Sequence, residues 1–517
     1  MTLRLDKMAP SRRESDYVLI PGCHRKGKSA VEEVGTADFA DEVIAKLPAG
    51  SVYVRGGVVG EILGDAGQRF FRHATADCMR LMIDERLKLA RWTLSPGGRS
   101  RRPMMMFVSC SRDNGGLVLS RARTHSVVPN IDVLTSYPVF LPGFKLCRPG
   151  YHEGVFYDEP EALCGLQPET DAGVIHKVLD ELVVDFPFKD EASRQNFYGE
   201  LLTPLVRIAI EGNAPLHLHN SPLERTGKTK LAEEGLGGVI TGRRTPAQQL
   251  AASNEEMEKR VLAVLLKGQT MLLLDNVAGN IDSPVLASLL TATTFQGRML
   301  GITQMVDVRN NLTIVVTGNN VKLSGEMAKR TVPILLQPAS DRPEARTDYR
   351  HPNFWNHVST NRRMFLSCLL GMVMTWAKAG AEPGSIPMGG FDSWAASVGG
   401  IMNHFGYEAW MTNAKAWCDT ADTGRGDRVA LVRGWHKAHG LRQVTAKEVY
   451  AVAERLQLYQ AILNGGGSER ARHTAFGMNV LARLEDCPVE NWFIRRHTSS
   501  SPTKYWLEAI AGGNQQP

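Results

Sequence analysis

Leu216-His217-Leu218-His219-Asn220-Ser221-Pro222-Leu223-Glu224-Arg225-Thr226-Gly227-Lys228-Thr229-Lys230-Leu231-Ala232 is the stretch on which the fold turns. Leu216 to Leu218 reads as a short strand, Thr226-Gly227-Lys228-Thr229 as a loop, and Lys230-Leu231-Ala232 as the opening of a helix. A phosphate-binding loop needs this context. Backbone amides and a helix N-terminus supply positive dipole, a Lys reaches the β/γ phosphates, and a Thr hydroxyl meets Mg²⁺. The strict pattern wants Gly at 222, where this chain has Pro222, and Arg225 stands where many such loops carry Gly. A bare GKT is also compatible with an exposed basic turn, so the decision falls to its companions.

Three companions follow in order. Met271-Leu272-Leu273-Leu274 is an apolar strand ending in Asp275-Asn276. A carboxylate at such a strand end can hold Mg²⁺ through water, although a strand-end Asp also caps ordinary turns. Ile314-Val315-Val316-Thr317 is β-branched and ends in Gly318-Asn319-Asn320, where a polar side chain can hold an attacking water. Lys329-Arg330 precedes the apolar run Val332-Pro333-Ile334-Leu335-Leu336, and an Arg here can be supplied in trans to a neighbour's γ-phosphate.

The order of these four elements resembles the superfamily 3 helicase type of AAA+ ATPase, in the branch of phages, poxviruses and integrated mobile elements that includes primase-helicases. The matching text is SPLERTGKT (221–229), LLLDN (272–276), TGNN (317–320) and KR (329–330). Gln296-Gly297-Arg298-Met299-Leu300-Gly301 stands where such enzymes carry a pre-sensor hairpin, and 255–260 where they carry a charged helix. PGFKLCRPGYHEGVFY (142–157), 354–376 and 390–413 resemble their flanking segments. The resemblance implies ATP and Mg²⁺ as cofactors. It implies nucleotide contacts from Pro222, Arg225, Thr226, Gly227, Lys228 and Thr229, and metal contacts from Thr229 and Asp275. Asn319 would be the sensor and Arg330 the trans-acting finger. Asn276 departs from the pattern, since many relatives have a second acid there and Asn cannot take a proton. Glu224 and Glu255 are the alternative acids.

Composition frames this reading. The chain has 517 residues, 43% hydrophobic and 22% charged, which excludes wholesale disorder and predicts two to four domains. Eight scattered cysteines without a CxxC pair exclude a disulfide framework or a zinc ribbon. The most apolar run, Met364 to Ala377, is too short for a membrane span. A soluble protein of a reducing cytoplasm, with no membrane partner, is expected.

The expected fold class is α/β, a P-loop AAA+-type core with an α+β N-terminal region and a helical plus winged-helix C-terminal region. The expected divisions are a disordered tail (1–16), an N-terminal α+β domain, degenerate primase-associated or adaptor (17–185), the ATPase core (186–340), a helical extension (341–420) and a winged-helix-like DNA-binding domain (421–517). Ala76 to Trp92 reads as one helix, and Trp492-Phe493-Ile494 with Tyr505-Trp506-Leu507 as a hairpin. His217 and His219 alternate on a strand without ligand partners and read as packed or surface residues.

The net charge of +6 is weak by itself. The window Asp84 to Arg123 nevertheless holds nine cations against three carboxylates, an excess equal to that of the whole chain. Clustered cations are a footprint for phosphates, or a solvated face. Arg298 or Arg309 in the ATPase hairpin, and Arg495, Arg496 and Lys504 in the tail hairpin, are the candidate DNA contacts. Two functions follow. One is an ATP-driven, hexameric DNA helicase serving replication of a phage or mobile element, acting on single-stranded or forked DNA with the element's replication proteins. The other is an ATP-binding switch or loader that assembles on DNA and recruits partners without unwinding.

Overall fold

Apolar β-branched runs without alternation are the signature of strands buried on both faces, and the centre of the chain follows it. Five strands form one sheet: β1 (Leu216–Ser221), β2 (Ala247–Gln248), β3 (Met271–Ile281), β4 (Thr313–Leu323) and β5 (Thr331–Leu335). Their spatial order is β2-β3-β4-β1-β5. β1 pairs with β4 and β2 with β3, both in parallel. Leu272 to Leu274 and Ile314 to Val316 are all buried, so both faces of the sheet are covered.

The computed structural model describes residues 17–26, 31–94, 103–251, 253–281, 283–298, 305–421, 423–460, 468–497 and 502–510. The expected tail, Met299 to Gly301, and Arg99, Arg101 and Arg102 of the basic window lie outside these residues. Two units divide the chain. The first takes Met1–Val277, Ser283–Asn319 and Val332–Met411; the second takes Ala278–Asp282, Asn320–Thr331 and Thr412–Pro517.

In the first unit, helix α1 (Glu191–Val206) precedes β1 and α2 (Asn254–Leu266) precedes β3. Each starts on a side-chain cap: Asp190 accepts from the Ser193 amide and Ser253 from the Glu256 amide, which satisfies N–H groups that a helix start leaves open. α3 (Phe354–Lys378) and α4 (Asp392–His404) follow the sheet. Trp394 of α4 is buried and donates its indole N–H to Thr203 of α1 at 3.0 Å.

The N-terminal part of this unit is α+β. Tyr53–Arg55, Val58–Leu63 and Phe70–His73 form an antiparallel meander. Val18–Leu19, Leu89–Leu94 and Pro103–Val108 form a second sheet over helices Thr36–Lys46, Ala76–Arg86 and Arg112–Ala122. The helix expected over Ala76 to Trp92 therefore stops at Arg86. Leu89–Leu94 is drawn into strand pairing with Pro103–Val108, a long-range partner that helical spacing does not register. Arg55, 3% exposed, ties this part to α2: its Nε and Nη2 donate to the Leu265 carbonyl and its Nη1 to those of Ile131 and Asp132.

The second unit contains helices Thr423–His439, Ala446–Arg455 and Glu469–Phe476, followed by the antiparallel pair Trp492–His497 and Lys504–Ala509. The hairpin read from the tail sequence is thus present. Its core is built on Leu431, Trp435, Val449, Phe476, Ile494 and Leu507. Among the described residues, no helix is long and apolar enough to cross a membrane.

Candidate functional site

β1 ends at Ser221, and the chain turns through Pro222 to Thr226 before a helix starts at Lys228. The turn depends on left-handed backbone. Gly227 has φ 91°, and a Cβ there would lie 3.2 Å from the Phe186 ring. Arg225 takes φ 57° without being Gly, a conformation that costs about 1 kcal/mol in an L-residue. The sequence-level departure at Arg225 is therefore a real local strain. The helix runs through Lys228–Lys230, loosens to i→i+5 bonding over Leu231–Leu236, and closes with Gly237–Thr241.

Lys228 is 7% exposed, and its Nζ donates to the Leu223 carbonyl at 2.8 Å and to Thr226 Oγ1 at 3.0 Å. Burial pushes its ammonium down to about 8, against the opposing pull of Glu224 and Asp275. The Thr229 hydroxyl donates to Asp275 Oδ1 at 2.6 Å, and Thr317 Oγ1 donates to the same oxygen at 2.6 Å. Thr317 in turn accepts from the Asn276 amide at 3.0 Å. The loop helix, β3 and β4 are thus joined around one carboxylate, and both strands run on past it, so the strand end expected at Asp275 lies mid-strand.

Asn319 lies opposite Ser221 in the β1–β4 register, beside the start of the loop. Its Oδ1 is buried and, among the described residues, has no hydrogen-bond partner. A buried acceptor without a donor is costly, and a ligand or water in the loop would relieve it. Hard oxygens on Thr229 and Asp275, with the Lys228 ammonium alongside, suit a Mg²⁺–phosphate group.

One buried pair escaped the sequence reading. His219 on β1 and Glu200 on α1 are both fully buried, with His219 Nε2 2.8 Å from Glu200 Oε2. His219 Nδ1 faces the Lys228 carbonyl at 3.4 Å. Both histidines are packed, and His219 also anchors the first turn of the loop helix. Its signal was the 19-residue gap between an acid on a helix and an imidazole on a strand, which no local spacing exposes.

The candidate acids also part company. Glu255 is exposed and bound to Lys259 at 2.6 Å on α2. Glu224 is exposed on the loop. Glu233, four residues past Thr229 and not singled out in the sequence, is half-buried. Burial raises its carboxyl above the usual range, and the charge of Asp275 raises it further.

A cavity of about 670 Å³ adjoins the loop, lined in part by Phe186, Arg225, Gly227, Lys230, Arg346 and Tyr349. Phe186 meets Phe354 edge-on at 4.9 Å, and the Arg346 guanidinium lies 4.7 Å over the Tyr349 ring. The cavity combines aromatic rings with several cations beside the Pro222–Thr226 turn, and its size suits a small ligand.

The remaining expected residues fall elsewhere. Arg298 and Arg309 sit on the antiparallel pair Thr294–Arg298 and Met305–Arg309, at opposite ends. Four residues of strand, about 13 Å, separate them, and Arg309 is held 3.6 Å from Asp132. In the second unit, Arg330 pairs with Glu326. There too, Arg495 binds Asp486 and Glu508, and Arg496 binds Glu485 at 2.6 Å. Their charges are compensated within the hairpin's own surroundings, a feature hidden from a count of local cations. Lys504 lies on the facing strand, opposite His497.

No protein-family model matches the chain, and no curated protein matches it. Among solved structures, the apo C-terminal region of NrS-1 (residues 305–718) aligns over 88% of this chain and 96% of its own, at 11% identity and a TM-score of 0.43. "SCCmec type IV Cch - active helicase" aligns over 90% and 98%, at 10% identity and a TM-score of 0.33. JCV helicase aligns over 50% and 75%, at 13% identity and a TM-score of 0.24.

Proposed function

We propose that the chain is a Mg²⁺-dependent nucleoside-triphosphate hydrolase of the AAA+ type, using ATP, that acts on single-stranded or forked DNA as an oligomeric helicase. The observation that carries the reading is the Thr229–Asp275 contact at 2.6 Å beside the buried Lys228. The order β2-β3-β4-β1-β5 supports it by setting the Asn319 strand between the loop strand and the Asp275 strand.

In this reading the loop amides and Lys228 bind the β and γ phosphates, and Thr229 and Asp275 hold Mg²⁺ directly or through water. The metal, when bound, neutralises charge that develops on the phosphates. Asn319 orients the attacking water through its unpartnered oxygen, and Glu233, whose carboxyl feels the charge of Asp275, accepts the proton of that water. The cavity beside Phe186 and Tyr349 takes the nucleoside. Arg330 reaches the γ-phosphate of a neighbouring subunit, which makes the active form an oligomer, a hexamer by the family resemblance. The second unit, with its helices followed by a hairpin, serves as a winged-helix DNA-binding domain, and the element served is a phage or mobile element.

Asn276 favours a second reading, a slow ATP switch that assembles on DNA without unwinding. Steady-state hydrolysis with and without single-stranded DNA, alongside unwinding of forks of both polarities, separates the two. Hydrolysis that DNA stimulates, with unwinding lost in Lys228→Ala, supports the helicase. ATP-dependent oligomers with little turnover support the switch. Mixed Arg330→Ala and Lys228→Ala subunits should recover part of the activity, and no recovery would rule out a shared site.

A further inference from the structure

A second cavity, of about 660 Å³, opens between the Val58–Leu63/Phe70–His73 meander and the segments that lead into β2 and β3. Its lining includes Arg69, Arg72, Arg243, Arg244 and Lys267, and no carboxylate. Three of the cations are compensated from outside the wall: Arg69 by Asp158 at 3.5 Å, Arg72 by Glu61 at 2.6 Å and Arg244 by Glu234 at 2.9 Å. Arg243 instead donates to the Gly67 carbonyl at 2.7 Å, and Lys267 is exposed at the end of α2. Five cations against three carboxylates leave an excess of positive charge inside a concave surface, where low-dielectric walls focus the field.

The same wall carries an aromatic. Phe70 is 46% exposed, and alternation along its strand puts it on one face with Arg72. An exposed ring beside guanidinium groups, in a basic cleft, is the equipment of a single-strand binding surface: cations follow the backbone and the ring stacks on a base. A duplex hides its base faces, so the ring has work to do only on an unpaired strand.

We propose that this cleft binds single-stranded nucleic acid, with phosphates on Arg243 and Lys267 and a base against Phe70. The proposal extends the reading of the chain as an ATPase acting on DNA and takes the nature of its ligand from it. None of the cations in the cleft belongs to the basic window of the sequence or to either hairpin.

The test is fluorescence anisotropy of a labelled oligo-dT with the full-length chain, without nucleotide, over a salt series. Phe70→Ala should weaken binding about 5- to 100-fold. The double variant Arg243→Gln/Lys267→Gln should weaken it and flatten the slope of log K against log salt by about 1.4, at ~0.7 per lost single-strand phosphate contact. Binding of a fluorescent ATP analogue, measured in parallel, should stay unchanged in both variants. Wild-type affinity in the variants, or no oligo-dT binding by wild type, overturns the proposal. Equal losses of single-strand and duplex binding in Phe70→Ala overturn the single-strand assignment. Loss of analogue binding by Lys228→Ala reports on the nucleotide site alone, so the two readings fail separately.

Discussion

The Thr229 hydroxyl donates to Asp275 Oδ1 at 2.6 Å, across 46 residues of sequence. The contact joins the first turn of the loop helix to β3 and, in the proposed reading, makes a hydroxyl and a carboxylate available to the same ion. Asp275→Asn should keep binding of the fluorescent ATP analogue in EDTA and lose the gain in affinity that Mg²⁺ gives. Lys228→Ala should weaken binding with or without metal and lower hydrolysis by about 100-fold or more. Titrations of both variants with and without Mg²⁺ check the division of roles.

Glu233 is the acid that the fold sets within electrostatic reach of Asp275. Glu233→Gln should lower kcat by about 100-fold, as for loss of a general base, with analogue affinity retained. Asn276 has φ 52°, so Asn276→Gly keeps the backbone conformation and should change kcat by only a few-fold. The reverse order of effects in a steady-state assay would move the acid–base role away from Glu233.

Glu200 and His219 form a buried pair under the loop. Removing one partner leaves the other without its hydrogen bond, at a typical cost of about 1–3 kcal/mol. Glu200→Ala should therefore shift the guanidinium unfolding midpoint strongly downward, and Glu200→Gln, which can keep a hydrogen bond, less so. Equal midpoints for Glu200→Ala and wild type would show that the pair adds nothing to stability.

Burial pushes the His217 imidazole down to about 4, against about 6.5 in an unfolded chain. Between these values the unfolded state binds more protons than the folded one. The contribution of His217 is thus fully present above pH 6.5 and is lost as pH falls toward 4. From pH 7 to pH 5 the loss is about 2 kcal/mol. Urea unfolding of wild type and His217→Phe at both pH values should differ by about that amount in pH dependence.

The main elements of the central sheet were legible because buried strands announce themselves locally. Leu272 to Leu274 and Ile314 to Val316 are continuous apolar runs, and each ends in the polar residue that the site uses. The GKT turn marked the loop for the same reason: a helix N-terminus and a left-handed Gly227 are short-range demands on the chain. The Ala76–Trp92 reading failed where a strand partner, Met105 for Trp92 and Val108 for Leu89, outweighed local spacing. The pairing of the tail cations was hidden in the same way: Arg495 with Asp486 and Glu508, and Arg496 with Glu485, meet only in space.

Sequence by itself determined which groups are on offer: a Gly-Lys-Thr turn between a strand and a helix, an Asp and an Asn on apolar strands, an Arg before the last strand. Only the tertiary structure decided which of these groups meet. Parallel pairing of β1 with β4 brings Asn319 beside Ser221, and the Thr229 and Thr317 hydroxyls converge on Asp275. The fold also sets Glu233 near Asp275 and buries Glu200 against His219. The physical reason is range. Backbone conformation and strand burial are set by neighbours a few residues apart, whereas hydrogen bonds across the sheet, buried hydrogen-bonded pairs and the desolvation that shifts a titrating group depend on residues tens to hundreds of positions away.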